Sequence, residues 1–105
     1  MDYWAEIRKL KGNTLRTLDR GNPFDVLDVT ESAVIIRPHE NMNERRIARK
    51  HIEGALKELV AKGEITRVTI RAKYSNFNPA YVAAILALLP HVTSTIVPIK
   101  LRHKR

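Results

Sequence analysis

Over the first third of the chain the apolar residues come in short alternating bursts, and over the rest they settle mainly into helical spacing. Clusters of Gly, Pro, Asn and Ser punctuate the early part: "KGN" at 11–13, "RGNP" at 20–23 and "TES" at 30–32. Such residues end strands because they take turn conformations cheaply and bond to their own backbone. Between them, "TLRTL" (14–18), "PFDVLDV" (23–29) and "AVIIRP" (33–38) read as strands of an antiparallel meander. Phe24 and Val26, with Val29 less cleanly in phase, point to one buried face. Ahead of the meander, "DYWAEIRKL" reads as a short amphipathic helix that packs Trp4, Ile7 and Leu10 onto the sheet.

The pattern changes at "NERRIARKHIEGALKELVAKG". Ala48, Ile52, Ala55, Leu56 and Leu59 recur at helical spacing, Asn43 stands where a cap is needed, and Gly63 supplies a stop. The segment "ITRVTIRAKY" supports two readings. As a strand it sets Val68, Ile70, Ala72 and Tyr74 against Arg67, Thr69, Arg71 and Lys73, and this strict alternation favours the strand. As a short helix it has Ile65 before a Thr66 cap. The next helix spans 78–89, with Asn78 as cap, Pro79 at the first position and Pro90 closing it. Tyr81, Val82, Ile85, Leu86, Leu88 and Leu89 form its large face, expected in the core. Ala80, Ala83, Ala84 and Ala87 form a smooth face that admits close approach, expected from the preceding helix. "VTSTIVPIK" reads as one final strand and "LRHKR" as a basic tail.

These elements predict an α+β fold: an antiparallel β-meander over 1–42, then a helix-rich part over 43–101, and a basic tail at 102–105. At 105 residues the chain is the size of one domain. The order of a helix, "KGEIT", a short segment, "NPAYVAAILALLPHV" and a strand resembles the winged helix-turn-helix of DNA-binding proteins over residues 43–101. The resemblance implies that the helix after the turn faces the major groove, with Ser75, Asn76, Asn78 and Tyr81 as its polar candidates. The chain departs from that pattern in its alanine face, and in a single final strand where a wing has two.

Charge sharpens the picture. The formal net charge is +8. Residues 1–35 carry 5 basic and 6 acidic side chains, residues 36–74 carry 10 and 5, and residues 75–105 carry 4 and none. The positive field therefore belongs to the last two thirds, which points to a polyanion, DNA before RNA given the winged-helix spacing. Cations at a helix start oppose the macrodipole, so Arg45, Arg46, Arg49 and Lys50, crowded into two turns, suggest binding rather than helix stability. Arg67, Arg71 and Lys73, with Asn76 and the C-terminal Lys100, Arg102, Lys104 and Arg105, complete the expected phosphate-contacting surface. Trp4, Tyr3, Tyr74 and Phe77 are candidates for stacking on bases, or for the core. A second reading is a protein-interaction or homodimerisation module using the alanine face of helix 78–89.

No enzyme signature stands out, and no cofactor or metal is expected. The chain has no Cys, and His39, His51, His91 and His103 are scattered. "HEN" at 39–41 has no carboxylate or second His at a telling interval, and Asp25 and Asp28 share a side only if their strand bulges. The glycines form no phosphate-cradling loop. The charged start and the lack of a long apolar run imply no export signal or membrane span, and the missing Cys suits the cytoplasm.

Overall fold

The structure is a computed structural model that describes residues 2–104. Asp2 begins helix α1 (Tyr3–Arg8), its Oδ1 accepting from the Ala5 N–H at 3.1 Å. Capping sets the helix phase so that Trp4 and Ile7 share the buried side, with Leu10 partly buried behind them. The Trp4 indole N–H donates to the Thr30 carbonyl at 3.0 Å, which ties α1 to the meander.

Strands β1 (Thr14–Arg16), β2 (Pro23–Val29) and β3 (Ala33–Pro38) lie between the turn clusters, each antiparallel to the next. Phe24, Val26 and Val29 are all buried, although Val29 is out of phase with the other two. A bulge between Val26 and Asp28 explains this, since one extra residue restores Val29 to the inner face. The same bulge brings Asp25, opposite Arg37, and Asp28, opposite Ile35, to the outer face. The sequence pattern made that unlikely only because alternation carries no sign of a bulge.

The expected helix over 43–62 is corrected at its start. Residues Arg45–Ala48 form a fourth strand, β4, paired antiparallel with β3, and helix α2 runs from Arg49 to Lys62. Ala48 occupies the N-cap with no side-chain bond, and Asn43 lies in the preceding loop. The edge of β3 decides the matter: pairing satisfies its backbone and buries Ile47 opposite Val34, while two cations are spared a helix N-terminus. From Ile52 onward the stripe is as expected, with Ile52, Ala55, Leu56 and Leu59 buried and Gly63 closing the helix at φ 82°.

A second correction concerns residues 66–74. Glu64–Thr66 form strand β5, but Arg67–Lys73 form helix α3 rather than the favoured strand. Thr66 Oγ1 accepts from the Thr69 N–H at 3.2 Å, and Ile70 takes the buried side while Val68 is left 77% exposed. The cap therefore outweighs the alternation, whose apolar members never shared one buried face. Helix α4 (Pro79–Ala87) follows, with Pro79 in its first turn. Asn78 holds the cap position, yet its Oδ1 accepts from Arg45 Nη1 at 3.3 Å instead of bonding α4.

The final strand is two. β6 (Val92–Ile96) and β7 (Ile99–His103) pair across a turn at Val97 and Pro98, and β5 pairs with the other side of β7 in the order β5-β7-β6. Ile99 and Leu101 are buried while Lys100 and Arg102 point away, so Arg102 and His103 belong to the sheet and not to a tail. Lys104 follows β7, and Arg105 lies outside the described residues. Side chains from α1, both sheets, α2, α3 and α4 form one hydrophobic cluster. No helix among the described residues is long and apolar enough to cross a membrane.

Candidate functional site

The four cations expected on two turns of one helix are divided by β4. Arg46 faces the outer side of the meander and reaches Ser32 Oγ at 3.0 Å, whereas Arg45 turns inward, its guanidinium 5.5 Å from the centre of the Tyr81 ring. Arg49 is partly buried: it stacks 4.6 Å over the Trp4 ring, bonds Glu53 Oε1 at 2.7 Å and the Glu31 carbonyl at 3.1 Å. Lys50 is exposed. Arg45 and Arg49 thus hold parts of the fold together, and only Arg46 and Lys50 remain open to a partner. Both line a hollow of about 430 Å³ beside the start of α2, with Glu31, Ser32, Ala48, Arg49 and Glu53.

The remaining candidates fall into two further groups. On α3, Arg67 is bound to Asp19 at 2.8 Å and Lys73 lies 3.4 Å from Glu58, while Arg71 is exposed. The Arg67 guanidinium holds the Asp19 carboxyl below its ordinary range. On β7, Lys100 and Arg102 share the outer face of the second sheet, Lys100 paired with Glu64 at 3.1 Å. Of the candidates, Arg45, Arg46, Lys50, Arg71, Arg102 and Lys104 have no carboxylate partner among the described residues, and neither do Arg16, Arg20 and Lys57 elsewhere.

Helix α4 offers little to a groove. Ser75 is 3% exposed, Tyr81 packs edge-on against Phe24 with ring centroids 5.0 Å apart, and Asn78 is engaged by Arg45. Of the polar residues that the winged-helix resemblance nominated, Asn76 alone is exposed. Ala83 and Ala84 are buried within the chain, and α4 lies chiefly against α3 rather than α2. A second subunit therefore finds no open alanine face on this helix.

Two features escaped the sequence reading. His39 does have a carboxylate: its Nε2 lies 2.9 Å from Asp25 Oδ1, which also accepts from Thr14 Oγ1 at 2.6 Å. These bonds, the Thr14 hydroxyl first, hold the Asp25 carboxyl below its ordinary range. The β2–β3 register joins them, and the interval of 14 residues gives no local hint. Lys11 acts likewise on Asp28 at 3.2 Å. Each of the two Asp residues is thus held by its own partners, on a solvent-facing sheet. The second feature is Glu58, which accepts from the Tyr74 hydroxyl at 2.6 Å; the bond lowers the carboxyl pKa and raises that of the phenol. The Tyr74 ring lies where a Cβ on Gly54 would come within 2.8 Å.

His91 and His103 also meet, with ring centroids 6.4 Å apart, and Tyr3 Oη lies 3.0 Å from His103 Nε2. Among the described residues no three His, Asp or Glu side chains come together as a metal site would require. Compared with known protein families, with curated proteins and with solved structures, the chain matches none of them.

Proposed function

We propose that this chain is a non-enzymatic nucleic-acid-binding module that engages duplex DNA chiefly through its phosphates. The observation that carries the reading is electrostatic: residues 65–105 contain seven Lys and Arg side chains and no Asp or Glu. Within that stretch Arg71 and Arg102 are exposed and unpaired with any carboxylate of the described residues, and Arg46 and Lys50 add two more such charges near the start of α2. Guanidinium and ammonium groups that are not already neutralised are those that release counterions from DNA on binding.

Connectivity supports the same reading. The order α2, β5, α3, α4, β6, β7, with β5 and β6 flanking β7, resembles the order of a winged helix, and the β6–β7 hairpin takes the place of the two-stranded wing. The helix in the reading position is packed into the core, so contacts through phosphates are favoured over base readout. Such binding positions the protein without selecting a sequence.

The test is fluorescence anisotropy of a labelled duplex at two salt concentrations, with the wild type and a variant carrying Arg46→Gln, Lys50→Gln, Arg71→Gln and Arg102→Gln. Binding that is micromolar or tighter at low salt, weakens steeply with salt and falls more than tenfold in the variant supports the proposal. Absence of wild-type binding at low salt refutes it.

A further inference from the structure

Five of the six aromatic side chains are accounted for by the fold. Phe24 and Trp4 are buried, Tyr3 bonds His103, Tyr74 bonds Glu58, and Tyr81 packs on Phe24. Phe77 is different: it stands in the turn between α3 and α4 with 83% of its surface exposed.

That turn is fixed at both ends. The Tyr74 and Ser75 N–H groups both bond to the Ile70 carbonyl, at 3.0 and 2.8 Å, and the Ser75 side chain is buried. On the other side Asn78 is held by Arg45, and Pro79 begins α4. The ring is therefore displayed from an ordered backbone, an arrangement that reduces the ordering cost of a contact. Beside it Asn76 is exposed, and along the outer face of α3 Val68, Arg71 and Ala72 follow at helical spacing, all exposed. No acidic residue occurs anywhere in this part of the sequence.

An exposed ring that follows the unpaired Arg71, where the nearby acids Glu58 and Asp19 are already engaged by Tyr74, Lys73 and Arg67, suits an anionic partner that carries flat apolar surfaces. From this we infer that Phe77 is a stacking platform for an unpaired nucleobase, with Arg71 placed for the adjoining backbone phosphate. The inference rests on the proposed nucleic-acid reading and deepens it: the preferred ligand is a duplex with an unpaired base at a tail, bulge or junction. Stacking tolerates any base because each has a π face, so the preference is for structure and not for sequence.

The experiment compares three labelled ligands: a fully paired short duplex, the same duplex with a single-stranded tail, and the same duplex with an abasic tail of equal charge. Wild type, Phe77→Ala and Phe77→Tyr are titrated with each. The wild type and Phe77→Tyr should favour the base-bearing tail over the abasic one by roughly fivefold or more, and Phe77→Ala should lose the preference while keeping paired-duplex affinity and its salt dependence. Equal affinity of the wild type for the two tails, or a preference that survives Phe77→Ala, overturns the stacking role while leaving duplex binding intact. A wild-type protein that binds none of the ligands at low salt overturns the nucleic-acid reading and the stacking role together. Loss of wild-type self-association in Phe77→Ala, with no change in tail preference, would assign the ring to protein docking and also refute the inference.

Discussion

The outer faces of the two sheets are built from similar residues but differ in what becomes of their charges. On the meander, Asp25 is engaged by Thr14, Arg37 and His39, and Asp28 by Lys11, so the charges over β2 and β3 neutralise one another, while Arg16 on β1 and Arg46 on β4 have no acid at the two edges. On the second sheet, Glu64 stands opposite Arg102 across β5 but is paired with Lys100 at 3.1 Å, which leaves Arg102 without an ion pair, and its neighbour across β6 is Thr93. Net charge alone does not separate these surfaces; the pairing of carboxylates does. A polyanion would meet compensated charge over the middle of the first sheet and open charge at its edges and on the second, which matters because only unpaired cations release counterions without first breaking an internal contact.

The two sheets are nevertheless one structure, and the largest predicted effect tests that. Phe24 is fully buried on β2 and packs on Tyr81 of α4, so Phe24→Ala should cost about 3–5 kcal/mol. Far-UV circular dichroism and Trp4 fluorescence should report one shared unfolding transition; two separate transitions would divide the molecule into independent halves. Next in size is a matched pair of charge variants. Arg102→Gln should lower duplex affinity several-fold and reduce the salt slope by about 1, whereas Arg37→Gln on the meander should leave both unchanged. Equal losses would erase the distinction between the faces.

A smaller effect is expected where α2 meets α3. Gly54→Ala gains helix propensity but drives a Cβ into the Tyr74 ring, so thermal or denaturant unfolding should show a net loss of about 1 kcal/mol. In a Tyr74→Ala background the same change should instead stabilise by about 1 kcal/mol, since only the propensity gain remains. A sign that does not reverse would mean that the ring gives way freely.

The smallest effect concerns pH. Glu58 has a folded pKa below its unfolded value, so the stability it contributes is present above the unfolded value and is lost as pH falls through the folded one. Tyr74 has a folded pKa above its unfolded value, so its contribution is present below the unfolded value and is lost as pH rises through the folded one. Tyr74→Phe should therefore flatten both limbs of a stability-against-pH curve. Unaltered limbs would show that the bond contributes nothing to folding.

Much of the fold was legible in short-range chemistry. Turn residues delimited β1 to β3, and Pro79 and Gly63 marked the start of α4 and the end of α2. The site was less legible. Twelve residues were nominated by charge or position, but charge says nothing about pairing: Arg49, Arg67, Lys73 and Lys100 prove to be held by acids 4 to 48 positions away. Arg45 was removed by a contact 33 positions distant, and the alternation of Ile99 and Leu101 with Lys100 and Arg102 was the overlooked sign of β7.

The amino-acid sequence by itself determined the α+β class, the meander, the apolar stripe of α2, the helical character of 79–87 and the basic balance of the last two thirds. Each depends on alternation, helical spacing, turn residues or composition, and these act between residues a few positions apart. Only the tertiary structure decided that residues 45–48 join a sheet, that 67–73 coil into a helix, that the alanines of α4 are covered and that Phe77 is left outside. In each case competing local preferences were close, and backbone pairing or burial against residues distant in the chain tipped the balance.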